Sequence, residues 1–470
     1  MTWEIRFACT LAAGLSFVAG CSLTLANPTF GNRDAGTDAG ADSGGPEQDA
    51  GSDGGTDGGT DAGEPPCECW SCEVTPCLQA VEISAGGTHT CALASNERVY
   101  CWGSNEDGQL GRGDVGGSSA LPGVVVGLGG AGTLERVRSI RAGANYSCAL
   151  LNDGSIACWG GNEYGQLGNG SFGTTDQPIP ALVHGSSSGS PLAGADQITT
   201  GGTHACARTG FTAVCWGFNT NGQIGANLSA STRNVTFATP VLAETGTASL
   251  TPIVEISAGD RHTCALAGMD AYCWGSGLAG RLGNGGTSGS TRPVRVLGLG
   301  GTGPLNDATQ IASGNTHSCA STSSAVLCWG SNYSGQLGTG ASGAGMDQVF
   351  PVRVLGPDAP TYLDAANELG LGNGTSCARL ADQLLCWGDN DQGQLGNGGS
   401  GFGSVGVHAD PVLSVDGTMP LAVSHFSAGP SHACAIDGNG APHCWGRNLN
   451  GQLGDGSMNM RTLPRRVSAP

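Results

Sequence analysis

The stretch SAGGTHTCAL, Ser84–Leu93, followed by VYCWGSNEDGQLG, Val99–Gly111, is a phrase the chain repeats. Small residues lead to a cysteine, a short gap leads to Cys-Trp-Gly, and Gly-Gln-Leu-Gly closes the unit. Seven copies put tryptophans at Trp102, Trp159, Trp216, Trp274, Trp329, Trp387 and Trp445, with steps of 57, 57, 58, 55, 58 and 58 residues. A fixed period of this kind marks a repeat architecture, in which each unit buries its apolar face against its neighbours. A residue present seven times builds the repeat before it catalyses anything.

Composition agrees with short strands joined by tight turns. Of 470 residues 84 are glycine, and only 12% are charged. No helical spacing of apolar residues is sustained beyond the extreme N-terminus. In the first unit the strands are expected at Ala80–Ser84, His89–Ala94, Arg98–Trp102 and Val124–Val126. One such sheet cannot bury both faces; radial stacking of seven solves that and leaves only short edges. The tryptophan fills space between neighbours if its indole N–H finds a partner. The expected fold is therefore all-β, a seven-bladed propeller over 80–470, with repeats near 81–126, 137–183, 195–242, 253–297, 309–355, 367–415 and 423–468.

Twenty cysteines carry the next inference. Fourteen fall two per repeat: Cys91 and Cys101, Cys148 and Cys158, Cys206 and Cys215, Cys264 and Cys273, Cys319 and Cys328, Cys377 and Cys386, Cys434 and Cys444. Each pair spans a turn, such as Asn152-Asp153-Gly154, between two strand-like segments. A hairpin folded there brings the two cysteines opposite, within reach of a disulfide. The gap is nine residues in three repeats and eight in four, and the turn absorbs the difference. Closing a loop of about ten residues stabilises by roughly 2.5–3 kcal/mol in the chain-entropy model. Fourteen buried free thiols are the alternative. Zinc is disfavoured, because the pairs lack the short Cys-x2-Cys hook. Four more cysteines, Cys67, Cys69, Cys72 and Cys77, form a cluster over 67–79. Cys69-Trp70-Ser71-Cys72 could be a metal hook or a redox pair; two disulfides of unassigned pairing are the preferred reading.

The N-terminus reads as an address. Phe7–Val18 is too short an apolar run to span a bilayer stably. The segment Val18-Ala19-Gly20-Cys21 resembles the lipobox of bacterial lipoproteins, which implies a signal over 1–20 and a lipid on Cys21. The positive n-region is weak, with Arg6 offset by Glu4, and an ordinary secretory signal is the alternative. From 21 to 66 a linker rich in Asp and Gly cannot bury a core; it is expected to be a disordered, self-repelling spacer. Its aspartates recur every four residues at Asp34, Asp38 and Asp42, without the form of known calcium-binding repeats.

The pattern SAG-x-x-His-Thr-Cys-Ala-Leu…Val-Tyr-Cys-Trp-Gly-x-Asn-x-x-Gly-Gln-Leu-Gly resembles the repeat of the regulator of chromosome condensation family, from Val81 to the C-terminus. That resemblance implies the seven-bladed propeller again. Departures are Tyr146 and Thr375 for the repeat histidine, Ile224 for leucine, and Arg281 for glutamine. The paired cysteines lie outside the eukaryotic nuclear pattern.

Candidate chemistry is sparse. His89, His204, His262, His317 and His432 share one repeat position on five different units, which suits backbone-satisfied framework better than metal binding or base catalysis. The Gly-Gln-Leu-Gly turns lack the lysine and following helix of a phosphate loop. Asn105-Glu106-Asp107 and Asp389-Asn390-Asp391 are explained by turn chemistry. No hydrolase motif is present. No catalytic residue, cofactor or metal is expected. A net charge of −19 excludes nucleic acid as a natural partner.

The expected function is a non-enzymatic, surface-displayed protein-binding scaffold of the cell envelope. Its partner would be an extracellular or envelope protein, and its contact with the membrane the lipid anchor. Candidate contact regions are the connections Gly127–Glu135, His184–Ala195, Asn227–Thr239 and Gly340–Phe350, because recognition resides where repeats differ. Guanine-nucleotide exchange, implied by the family, would need an intracellular partner. Propeller-type inhibition of an extracellular enzyme such as a β-lactamase would need an exposed aromatic cluster at one mouth, which is not evident.

Overall fold

A computed structural model describes residues 78–229 and 231–470. They form seven four-stranded antiparallel sheets that follow one another along the chain: Ala80–Val124, Val137–Leu182, Ala195–Pro240, Ile253–Arg295, Ala308–Arg353, Glu368–Pro411 and Val423–Arg466, here blades 1 to 7. In blade 1 the strands are β1 Ala80–Ala85, β2 His89–Ala94, β3 Val99–Ser104 and β4 Ser118–Val124. The β1 strand and its six equivalents line a central tunnel, and β4 and its equivalents form the perimeter. The seven-bladed propeller read from the sequence is the architecture observed.

Burial explains the order. β2 is buried at every position, while β4 is half exposed. The expected outer strand at Val124–Val126 is corrected on this ground. Val125 is fully buried and donates its N–H to Val99 O at 3.0 Å, sealing the blade from below. The true outer strand precedes it and carries no apolar run, because one side faces water.

Each outer strand also contains a proline: Pro122, Pro180, Pro240, Pro293, Pro351, Pro411 and Pro464. A proline cannot donate to an added strand, so seven exposed edges are blunted against sheet extension.

The ring closes without exchanging a strand. Blade 1 is wholly N-terminal and blade 7 wholly C-terminal. They meet through the same bonds that join sequential blades: His432 Nε2 to Thr90 Oγ1 at 2.8 Å, and Trp102 Nε1 donating to Gln452 O at 2.9 Å.

The fourteen repeat cysteines oppose each other in register within each blade, as Cys91 does Cys101 and Cys206 does Cys215. Seven disulfides join them, with Cα–Cα distances of 4.0–4.1 Å. In blade 3 a two-residue turn lies between Thr209 and Thr212, with Gly210 at φ 61°; blade 1 turns over a longer loop from Leu93 to Val99. The signal at 1–20, Cys21, the linker 21–66 and the cluster Cys67, Cys69, Cys72 and Cys77 lie outside the described residues.

Candidate functional site

The residues whose side chains could do chemistry turn out to hold blades together. Each repeat tryptophan is fully buried. Its indole N–H donates across the joint to the backbone carbonyl of the preceding blade's Gly-Gln-Leu-Gly turn: Trp159 to Gln109 O, Trp274 to Gln223 O and Trp387 to Gln336 O, each at 2.9 Å. At five joints the same carbonyl also accepts a hydroxyl. Ser147 Oγ donates to Gln109 O at 3.0 Å, and pairs with His89 Nε2 at 2.8 Å. A hydroxyl has one hydrogen, and here the carbonyl takes it. His89 Nε2 is therefore the donor and its Nδ1 carries no proton.

The equivalent pairs are His204–Thr263, His262–Ser318, His317–Ser376 and His432–Thr90, at 2.7–2.8 Å. All five imidazoles are fully buried, and Nδ1 has no partner in any of them. Desolvation therefore holds them neutral. His89, His204 and His317 are lowered from 6.5 to about 3, and His432 to about 4. His262 lies well below its ordinary value, through burial first and then the nearby Arg281 charge. An imidazole that cannot reach solvent or change charge near neutrality is framework.

A regularity in the sequence went unused. Blades 2 and 6 lack the histidine, having Tyr146 and Thr375, and the next blades lack the hydroxyl, having Ala205 and Ala433. Histidine and hydroxyl are kept or lost as a pair across a joint. That covariation was present in the chain and would have identified the contact. Tyr146 bridges its joint another way, its hydroxyl donating to His204 O at 2.5 Å.

The tunnel begins at a glycine collar. The glycine five residues before the first cysteine of each repeat stands at its mouth. A Cβ on Gly86 would come within 2.6 Å of Gly143 O, on Gly201 within 2.0 Å of Gly259 O, and on Gly372 within 2.2 Å of Gly429 O. Successive blades approach too closely here for any side chain. Behind the mouth, of about 130 Å³, lies a chamber of about 210 Å³ lined partly by Arg141, Glu368 and His425. Arg141 pairs with Glu82, and His425 Nδ1 lies 2.7 Å from Glu368 Oε1. Glu255 on the inner strand of blade 4 accepts Ile311 N–H at 2.9 Å, and burial raises its carboxyl to about 7. These charged groups bond neighbouring blades, and among the described residues no group of three His, Cys, Asp or Glu is placed to hold a metal ion.

The two ring faces differ. One bears the collar turns and the loops between the third and fourth strands; the other bears the hairpin turns and the interblade connections. Six interblade connections close on bridged pairs seven residues apart, from Val126 with Thr133 to Leu413 with Pro420. They are uniform. Variation lies on the collar face: from strand-three cysteine to bridge residue there are 24 residues in blade 4, Cys273 to Leu297, and 27 in blade 3, Cys215 to Leu242. The four expected contact regions are thus not brought together. Asn227–Thr239 and Gly340–Phe350 belong to the collar face; Gly127–Glu135 and His184–Ala195 belong to uniform hairpins on the opposite one.

On the collar face one repeat position separates the blades. The residue after the turn asparagine, or its equivalent, is Glu106, Glu163 and Asp391 in blades 1, 2 and 6. It is Leu278, Tyr333 and Leu449 in blades 4, 5 and 7, each 64–70% exposed. Blade 4 departs further. Gly277 replaces the asparagine whose side chain elsewhere holds the loop, as Asn105 Oδ1 accepts Leu110 N–H at 3.1 Å. Arg281 replaces the glutamine that elsewhere accepts a turn N–H, as Gln109 Oε1 does from Asp107. Arg281 instead donates to Leu278 O and to Asn315 O of blade 5, at 2.9 and 2.8 Å. In the sequence Arg281 stands out as a departure from Gly-Gln-Leu-Gly, while nothing in the repeat pattern marks the exposed Leu278 beside it.

Comparison with known proteins fits this architecture. Residues 49–398 match the family model for the RCC1-like domain, and 381–436 and 423–452 match models of the regulator of chromosome condensation (RCC1) repeat. The ultraviolet-B receptor UVR8 of Arabidopsis thaliana is 31% identical over 405 residues, covering 84% of both chains. The E3 ubiquitin-protein ligase HERC2 of Homo sapiens is 27% identical over 77% of this chain, which spans only 7% of that protein's length. Among solved structures, Prp20p of Saccharomyces cerevisiae, described with its binding to Gsp1p and histones, superposes with a TM-score of 0.65 at 20% identity, over 80% of this chain and 87% of that one. Human WBSCR16 superposes with a TM-score of 0.64 at 19% identity, over 79% and 95%.

Proposed function

Because the chain belongs to the regulator of chromosome condensation repeat family, as an RCC1-like domain, we propose that it is a non-enzymatic protein-binding scaffold whose partner docks on the collar face. One observation carries this reading. The repeated histidines, tryptophans and cysteines are buried in joints and strand pairs, while length variation and the exposed Leu278, Tyr333 and Leu449 gather on one face. Rigid frames that vary at loops on one face are built for recognition.

The partner is proposed to be an extracellular or envelope protein. Seven intrablade disulfides suit an oxidising compartment, and the lipobox-like Val18–Cys21 would anchor the chain through Cys21. Guanine-nucleotide exchange and inhibition of an extracellular enzyme remain readings by family likeness, with no feature of the collar face that favours either.

The test uses full-length protein from envelope fractions. Cross-linking should capture one stoichiometric protein with the wild type. Capture should be lost with Leu278→Asp, Tyr333→Asp and Leu449→Asp together, and kept with Phe211→Asp and Met269→Asp on the other face. Equal loss from both faces would refute the docking surface, and a nucleotide-sensitive GTPase as the captured protein would replace the scaffold reading.

A further inference from the structure

Seven equivalent joints hold the ring, and they are not equally bonded. The joint between blades 1 and 2 has four inner links. His89 bonds Ser147 at 2.8 Å, Ser84 Oγ accepts Ala142 N–H at 2.9 Å, Glu82 accepts Ile140 N–H at 2.7 Å, and Gly87 N–H reaches Gly143 O at 3.0 Å. The joint between blades 3 and 4 repeats all four through His204, Thr199, Gln197 and Gly202. The joint between blades 4 and 5 does so through His262, Ser257, Glu255 and Asp260. Where the last blade meets the first, blades 7 and 1 keep His432–Thr90 and Ser427 Oγ accepting Ala85 N–H at 3.0 Å.

Two joints lack all four among the described residues. Between blades 2 and 3 the fully buried Tyr146 crosses the gap, its hydroxyl donating to His204 O at 2.5 Å, and Arg138 donates to Ala195 O. Between blades 6 and 7 all four are missing and no equivalent of Tyr146 replaces them. Thr375 stands for the histidine and bonds within its own blade, to Asp389 O at 3.1 Å. Ala433 stands for the hydroxyl, Gly370 for the serine of the inner strand, and Asn373 N–H makes no collar bond. The inner strand of blade 6, Glu368–Leu371, has four residues where every other inner strand has six, and none of the four is fully buried. What remains is the Glu368–His425 pair at 2.7 Å, Trp445 donating to Gln394 O at 2.9 Å, and backbone bonds farther out, such as Val423 N–H to Asp382 O at 2.8 Å. Among the described residues every disulfide lies inside one blade, so none of them holds this joint.

We infer that the ring opens between blades 6 and 7, and not where its first and last blades meet. A closed propeller resists opening because every joint must be intact; the least-bonded joint, with neither the four links nor a bridging tyrosine, sets where the first sub-global opening occurs. Exposed Phe402 and Leu449 stand on the collar-face loops of blades 6 and 7, so a protein that spans both blades would close the joint. Such a partner would bind the closed ring more tightly than the opened one.

The fold supplies a matched set of probes. The alanine after the first cysteine of each repeat is fully buried in all seven blades and packs against the preceding blade; Ala92, Ala149 and Ala435 are examples. Seven single alanine-to-cysteine variants report one joint each through the rate of labelling by a small methanethiosulfonate under native conditions. Ala435→Cys is expected to label at least tenfold faster than the other six. Fastest labelling at Ala92→Cys, which reports the joint of the first and last blades, or at Ala207→Cys, which reports that of blades 2 and 3, would overturn the inference, and so would seven equal rates. Where a variant fails to fold, hydrogen exchange of the unaltered protein decides. Amides of 368–371 and 423–428 should exchange at least tenfold faster than those of 80–85 and 137–142; equal protection would overturn it.

Discussion

Lowering the pH from 7 to 5 should weaken the fold through its buried histidines. His89, His204 and His317 are held near 3 and His432 near 4, against 6.5 in an unfolded chain. The unfolded chain therefore binds the additional protons. The stability linked to these rings is complete above about pH 6.5 and falls as the pH drops toward their folded values. At pH 5 each ring has lost about 2 kcal/mol, from roughly 1.4 kcal/mol per unit over 1.5 units. Four rings give about 8 kcal/mol, and His262 adds to it. Glu255 opposes them. Its carboxyl is raised to about 7, so the folded chain takes up that proton and gains about 2 kcal/mol on the way to pH 5. Arg281, which faces His262 and His317, keeps its charge throughout and adds no slope. The net loss is on the order of 6 kcal/mol or more. Urea titrations at pH 7 and 5, disulfides intact, measure it. His317→Gln gives the sharper comparison, because its amide can still donate to Ser376 but does not titrate. It should lose about 2 kcal/mol less than the wild type between the two pH values. Parallel pH curves for the two proteins would refute the reasoning.

The collar gives a steric counterpart. Gly201→Ala places a methyl 2.0 Å from Gly259 O and should cost about 1–3 kcal/mol or more, while Gly438→Ala, with nothing within 4 Å, should stay within about 0.5 kcal/mol by thermal melting. Trp329→Phe removes the indole donor to Arg281 O and part of a buried ring, and should lower urea stability by about 1–3 kcal/mol; an unchanged midpoint would count against tryptophan as a joint residue. Thiol counting in denaturant without reductant should find none of the fourteen repeat cysteines reactive, and fourteen reactive thiols would exclude the disulfide framework. Cys21→Ala should release the protein from membranes into the soluble fraction, and unchanged retention would exclude the lipid anchor.

The fold was legible because its signals are local and repeated. A period of about 57 residues, a cysteine and a tryptophan on adjoining strands, and a glycine turn after them suffice to write a blade, and seven copies suffice to close a ring. Part of the joint chemistry was also legible and went unread: Ala205 follows Tyr146, and Ala433 follows Thr375, one repeat later. The outer strand was misplaced because a perimeter strand is half solvated and leaves no apolar run, while buried Val125 beyond it does.

The candidate surface was not legible. Asn227–Thr239 and Gly127–Glu135 look alike as connections, yet antiparallel pairing puts them on opposite faces. Leu278, Tyr333 and Leu449 stand more than fifty residues apart in sequence, and only ring closure sets them on one face. By itself the sequence determined the blade, its number and the pairs within it, because those depend on neighbours in the chain. The tertiary structure decided which face varies and which joint is left under-bonded. Those depend on residues that meet only across the gaps between blades, a full repeat or the whole ring apart.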